Sequence, residues 1–241
     1  MIWPVLAGVG AGTVAAGGVL LWYACSVPSS QLFGPALVRG PKEGRGVALT
    51  FDDGPTSPFT EQILGILRER SIIATFFVCG RNAERFPEVI RQIHAEGHTI
   101  GNHTYSHPYL YFQGRRKIAE EIDRTQDLIE KLTGHRPTLF RPPYGARWFG
   151  LYPVLRERGL QVVQWSDTGY DWQNKADAIV TATLRRLRPG SVILLHDGFR
   201  VPAPGTPADR FQTVQALPAI LDGAVGAGFT FVSVKDFLPG S

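Results

Sequence analysis

The first 38 residues contain no Asp, Glu, Lys, Arg or His. That absence excludes an ordinary solvated segment at the amino end. Cysteine is almost missing too. Cys25 and Cys79 are the two present, which excludes a disulfide framework, and their spacing fits no zinc–thiolate motif; two unpaired thiols are expected. A large excess of one charge is also lacking. The formal net charge is +4, and the basic residues are scattered, with short runs at 114–117 ("GRRK") and 184–188 ("LRRLR"). No basic stripe with interleaved aromatics appears, so nucleic-acid binding is not expected. No repeat of solenoid length is visible. What remains is a chain of 241 residues, 44% hydrophobic, long enough for one large core.

Residues 2–25, "IWPVLAGVGAGTVAAGGVLLWYAC", are apolar or small throughout. About twenty such residues span a bilayer. Their glycine content disfavours a soluble helix and is tolerated in a membrane one. Trp22 and Tyr23 stand at the far end, where aromatic rings favour the lipid–water interface. The expectation is an uncleaved transmembrane anchor over 1–25. A signal peptide cleaved near "ACS" (24–26) is the rival, although the usual positive start is missing. Residues 26–45 carry three prolines and three glycines and read as a linker. Arg39, Lys42 and Arg45 would lie in the cytoplasm by the positive-inside rule. The chemistry below argues for an extracytoplasmic domain.

From residue 46 onward, strand-like and helix-like stretches alternate. Apolar runs at 46–51, 74–79, 98–103, 138–141, 160–166, 191–196 and 229–234 are strand candidates. Amphipathic stretches at 59–70, 86–97, 115–134, 175–187 and 211–228 are helix candidates, with Asn174 as a cap of the fourth. Such alternation implies an α/β fold on a mainly parallel sheet, either a barrel or a doubly wound sheet.

The unusual polar clusters follow strands: "DDGP" (52–55), "HTYSH" (103–107), "RPPYG" (141–145), "SDTGYDW" (166–172) and "HDG" (196–198). The carboxyl ends of parallel strands form the active face of such folds, so these clusters should converge. Adjacent acids such as Asp52 and Asp53 repel unless one is neutralised. A divalent metal resolves the conflict by taking one aspartate as ligand and leaving the other free as a base. His103 and His107, four apart, present two imidazoles on one side. Two nitrogens and one oxygen leave coordination open, as in catalytic zinc sites. Asn102 and Ser106 are candidate supports for these ligands. His196 is a third ligand or a general acid. Arg141 needs a carboxylate partner, for which Asp52 is the candidate. Tyr144 sits in a rigid turn where its backbone N–H can meet an oxyanion, while simple packing is the rival role for Tyr144 and Trp172. Together the parts suit metal-assisted hydrolysis with Asp52 as base and His196 as acid.

"TFDDGP", "HTYSH", "RPPYG", "DW" and "LLHDG", in this order, resemble the polysaccharide deacetylases with a NodB homology domain, carbohydrate esterase family 4. The resemblance runs from about Val47 to Phe237 and implies a distorted (β/α)7 barrel over 46–238. It implies removal of N-acetyl groups from a GlcNAc-containing polymer or oligomer with Zn2+, or with Co2+ or Ni2+ instead. It also implies Asp52 as base, Asp53, His103 and His107 as metal ligands, Arg141 as the orienter of the base and His196 as acid. One position departs from the pattern. Thr168 stands where the family often has an aspartate supporting the late histidine, and Asp167 lies one place earlier. Either Asp167 reaches His196 through a shifted turn, or His196 lacks its carboxylate. Deacylation of an O-acetyl ester or of a lipid-linked sugar, and non-catalytic sugar binding, are the alternatives.

Overall fold

Apolar residues at alternate positions dictate which way each strand faces, and the strands pair in parallel throughout. The computed structural model describes residues 18–199 and 209–238. Its strands are β1 (Gly46–Asp52), β2 (Thr75–Val78), β3 (Thr99–Asn102), β4 (Leu139–Phe140), β5 (Gln161–Val162), β6 (Asp167–Thr168), β7 (Val192–His196) and β8 (Thr230–Phe231). The helices between them are α1 (Phe59–Glu69), α2 (Gly80–Arg85), α3 (Pro87–Ala95), α4 (Arg115–Thr133), α5 (Leu151–Glu157), α6 (Ala176–Arg186) and α7 (Phe211–Gly226). The sheet runs β5-β4-β3-β2-β1-β7-β6, with β8 added against the start of β1. It curls into a half-barrel. Among the described residues its two end strands, β5 and β6, do not pair with each other. The expected seven strands are thus eight, because β6 lies inside the polar "SDTGYDW" run.

Period-2 alternation separates two apolar layers. Leu49 and Phe51 of β1, Phe76 and Val78 of β2, and Ile193 and Leu195 of β7 point outward, into the core shared with α1, α3 and α7. Ala48, Phe77, Leu139, Val163 and Val192 point inward, and Val234 joins them. Gly101 of β3 leaves room for Phe77; a methyl group there would lie 2.5 Å from its ring. Asn174 does not cap α6. Lys175 holds the cap position, and the Asn174 amide donates instead to the Gly169 carbonyl, tying down the preceding turn.

Residues 26–45 are not a free linker. Leu37 pairs with Val163 beside β5 and covers that sheet edge. The Arg147 guanidinium donates to the carbonyls of Ser30 (2.6 Å) and Val27, and its backbone N–H donates to Cys25. Prolines and glycines here shape a path along the domain surface rather than a flexible spacer. Residues 18–26 are helical. Residues 1–17 of the expected anchor lie outside the described residues. Among those described, no helix is long and apolar enough to cross a membrane. Cys25 and Cys79 are unpaired, as their number suggested.

Candidate active site

The alternation that sends Leu49 and Phe51 outward sends Ala48, Thr50 and Asp52 inward. Asp52 therefore reaches the half-barrel mouth at the carboxyl end of β1. On β7 the inward positions are Val192, Leu194 and His196, and Asp52 is in register with His196. Two polar side chains thus stand on neighbouring strands facing the same space.

Asp53 would point away if the strand continued. Instead its φ is 73°, and the turn swings its carboxylate into the same mouth. Left-handed backbone is uncommon for residues with a Cβ. Thr104 (67°), His107 (56°), Tyr144 (59°) and Tyr170 (53°) share it, all in loops at this end of the sheet. Such concentration marks a site whose surroundings hold unfavoured conformations in place.

Asp53 Oδ1 lies 3.1 Å from His107 Nε2 and 3.4 Å from His103 Nε2. Asp53, His103 and His107 are all buried and form a candidate metal-ligand group. Yet Asp53 Oδ1, between the two Nε2 atoms, has no well-directed hydrogen-bond partner. Buried polar atoms are rarely left so. The ligand atoms converge on a common point rather than pairing among themselves, so the residues fit a divalent cation. His103 Nδ1 donates to the Arg141 carbonyl (2.7 Å). A carbonyl can only accept, so the neutral ring keeps the Nε2 lone pair toward Asp53, as a ligand requires. Burial acts to raise the Asp53 pKa, but the facing rings of His103 and His107 outweigh it and hold the carboxyl well below the usual range.

The Arg141 side chain is completely buried. It donates to Asp52 Oδ1 (2.6 Å), Thr50 Oγ1 (2.8 Å), and the carbonyls of Val163 (3.1 Å) and Gln164 (2.9 Å), and lies over the Phe77 ring. Those bonds fix one Asp52 oxygen and leave Oδ2, 3.7 Å from His103 Nε2, facing the ligand cluster.

Asp167 does not support His196. In β6 it pairs with Ile193, three residues before His196 along β7. Its carboxylate binds Arg39 (3.1 Å) and Ser166 (2.6 Å) instead. The carboxylate on His196 is Asp171. Its Oδ1 lies 2.8 Å from His196 Nδ1, and its Oδ2 accepts from the His196 backbone N–H (2.7 Å) and Thr213 Oγ1 (2.8 Å). The loop after β6 carries Asp171 back over the mouth, so Thr168 costs His196 nothing. Burial acts to lower the His196 pKa, but Asp171 outweighs it and the net shift is upward. Trp172 stands edge-on to the His196 ring, 5.3 Å between centroids.

Tyr144 lies against His107 (4.6 Å between centroids) and stacks on Tyr109 (3.8 Å), an aromatic rim over the ligand cluster. Asn102 ends β3 directly before His103, its Oδ1 accepting from Thr104 N–H (2.8 Å) and its amide donating to the Ile122 carbonyl of α4 (2.9 Å). Ser106 and Tyr105 donate their backbone N–H groups to Glu121 of α4 (2.8 and 3.1 Å). Glu121 is 5% exposed and escaped the sequence reading. Its signal was an acid on the buried stripe of an amphipathic helix. Asp197 escaped it too. Burial pushes its pKa up to about 7, and it packs so tightly that a methyl on Gly54 would lie 2.0 Å from its Oδ2.

A family model described as "Polysaccharide deacetylase" matches residues 39–163. A peptidoglycan-N-acetylglucosamine deacetylase of Bacillus cereus is 40% identical over 197 residues, covering 81% of this chain and 69% of that protein. A chitooligosaccharide deacetylase of Azorhizobium caulinodans is 37% identical over 189 residues, covering 76% and 90%. The crystal structure of the Bc1960 peptidoglycan N-acetylglucosamine deacetylase superposes with a TM-score of 0.78 at 37% identity, over 86% of this chain and 94% of that one. The chain belongs to the polysaccharide deacetylase family.

Proposed function

We propose that the chain is a metal-dependent hydrolase that removes N-acetyl groups from GlcNAc-containing glycans, such as peptidoglycan or chitin oligomers. The observation that carries this is the convergence at one mouth of two unlike devices. Asp53, His103 and His107 point at a shared centre. Beside them stand an acid fixed by Arg141 and an imidazole fixed by Asp171. The two relatives named above act on such glycans by name.

A bound divalent cation, zinc by the donor set, would polarise the acyl carbonyl and acidify water. The chain's own residues supply the proton traffic. Asp52 takes a proton at Oδ2, since Arg141 occupies its other oxygen. His196, with Nδ1 on Asp171, presents Nε2 to the leaving nitrogen and donates its proton there. Water adds to the acyl carbon, the C–N bond breaks, and acetate and the free amine leave. The Tyr144 backbone N–H, in the left-handed turn, is assigned to the oxyanion. The apolar amino end is assigned as a membrane anchor, with the catalytic domain outside the cytoplasm.

The test is acetate release by the full chain, zinc-loaded, from acetylated chitooligosaccharides and from peptidoglycan. Truncation at residue 40 would strip the segment that Arg147 and Val163 hold. Acetate release that survives Asp52→Asn and Asp53→Ala, or none from any amide or ester substrate, would refute the reading.

A further inference from the structure

The amino segment leaves the domain beside a group of exposed rings. Phe112 is 79% exposed, Phe149 63% and Trp22 63%. Phe112 packs edge-on to Trp148 (5.2 Å between centroids), Trp148 on Phe149 (4.1 Å), and Phe149 on Phe33 (6.4 Å). Trp148 and Phe33 are half-buried against the core, and Phe112 and Phe149 are the exposed part of one contiguous apolar patch; such a patch marks an interaction surface.

Five hydrogen bonds fasten the end of the apolar segment to this surface. Arg147, directly before Trp148, donates to the carbonyls of Cys25, Val27 and Ser30. The Tyr111 hydroxyl, directly before Phe112, donates to the Cys25 carbonyl (3.3 Å) and lies 3.1 Å from Ser26 Oγ. Val19, Leu20 and Leu21 of the helical stretch 18–26 are exposed, as are Trp22 and Tyr23. Those five consecutive side chains expose apolar surface around more than a full turn of the helix, directly before the stretch that Arg147 and Tyr111 hold. The sequence before it, residues 1–17, contains no charged residue.

We propose that Phe33, Phe112, Trp148 and Phe149 form a docking surface for the lipid–water interface, which holds the catalytic mouth against the bilayer. This rests on the anchor reading above. Trp favours that interface, Phe side chains bury into the headgroup–acyl boundary of peripheral proteins, and an apolar chain leading from the patch is what a bilayer would receive. Arg115, Arg116 and Lys117 follow Phe112, but Glu157, Glu120 and Glu121 neutralise them (2.7, 3.4 and 3.6 Å). Attachment is therefore mainly apolar and resists salt. Rings also link the patch to the catalytic cluster: Tyr111 to Tyr109 (6.1 Å), Tyr109 to Tyr144, and Tyr144 to His107.

The test uses the full chain in vesicles of phosphatidylcholine and phosphatidylglycerol carrying lipids brominated just below the headgroup. Phe149→Trp should gain an emission component that the bromines quench. Phe229→Trp, beside Arg45 at the opposite end of the sheet, should not. A Phe112→Glu substitution in the Phe149→Trp chain should remove the quenching of the component gained at 149, measured against the parent chain, while acetate release from soluble oligomers stays unchanged. Equal quenching at 149 and 229, or none at 149 in a chain that floats with the vesicles, overturns the proposal, and so does cross-linking of two copies through the patch. A chain that does not float removes the anchor and the docking together. None of these outcomes touches the deacetylase reading, which acetate release from soluble oligomers judges by itself.

Discussion

Asp171 grips His196 twice, through the ring and through the backbone. Because it raises the His196 pKa, the protonated acid persists to higher pH than a free imidazole would. Activity then falls as pH rises through that raised value. Asp171→Asn removes the upward shift, so the alkaline limb of the pH–rate profile should move to lower pH, with a rate loss of about 10²-fold or more. Asp167→Asn should leave the profile where it is, because that carboxylate belongs to Arg39. A profile displaced by Asp167→Asn and not by Asp171→Asn would reverse the assignment. For His196 stability follows the same direction as activity, and for Asp171 the opposite one. The His196 contribution is present below the unfolded imidazole pKa and lost as pH rises through the folded one, and that of Asp171 is lost as pH falls through its depressed value. The convergence of Asp53, His103 and His107 was legible in the sequence because each half of the group is a local pattern, adjacent acids and histidines four apart, at the end of its own strand. The His196 partner was not, because Asp167 and Asp171 differ only in which way an irregular turn carries them.

At the scale of elements, α4 supports the histidine loop through one carboxylate. Glu121→Ala leaves the Tyr105 and Ser106 N–H groups without their acceptor. A metal titration should show affinity reduced by about 10–100-fold, and urea unfolding of the same variant a loss of about 1–3 kcal/mol. Unchanged affinity would mean the loop holds itself. On the inner face of the sheet, Gly101→Ala drives a methyl into Phe77. Overpacking of this kind costs about 1–3 kcal/mol, read as a lower urea midpoint; an unmoved midpoint would show that Phe77 can shift freely. Strand-like runs announced β1, β2, β3, β4, β5, β7 and β8, and amphipathic spacing announced α1, α3, α4, α6 and α7. β6 is two residues inside a polar motif, and α2 and α5 are six and seven residues long. Elements that short carry no readable period, and tertiary packing decides them.

At the scale of the whole molecule, a cation held by Asp53, His103 and His107 would tie the ends of strands β1 and β3 together. Chelation should abolish acetate release, and zinc should restore it. Since a cation that binds the folded state stabilises it, the melting temperature should rise with free zinc, by the equivalent of about 2.7 kcal/mol at a hundredfold excess over Kd. No rise in the parent, or an equal rise in His107→Ala, would remove the cation from this centre. The end of β5 bears on the same centre. Backbone carbonyls of Val163 and Gln164, just past β5, receive the Arg141 guanidinium. Val163 still donates its N–H to Phe140 of β4, while Leu37 holds the outer edge of β5. Beyond Phe140 the chain leaves the ladder, and Arg141 takes with its side chain the carbonyls that a longer β4 would have used. The shortness of these two strands is thus a working part: where the ladder stops, main chain grips a buried guanidinium on one side and lets it steer the base on the other.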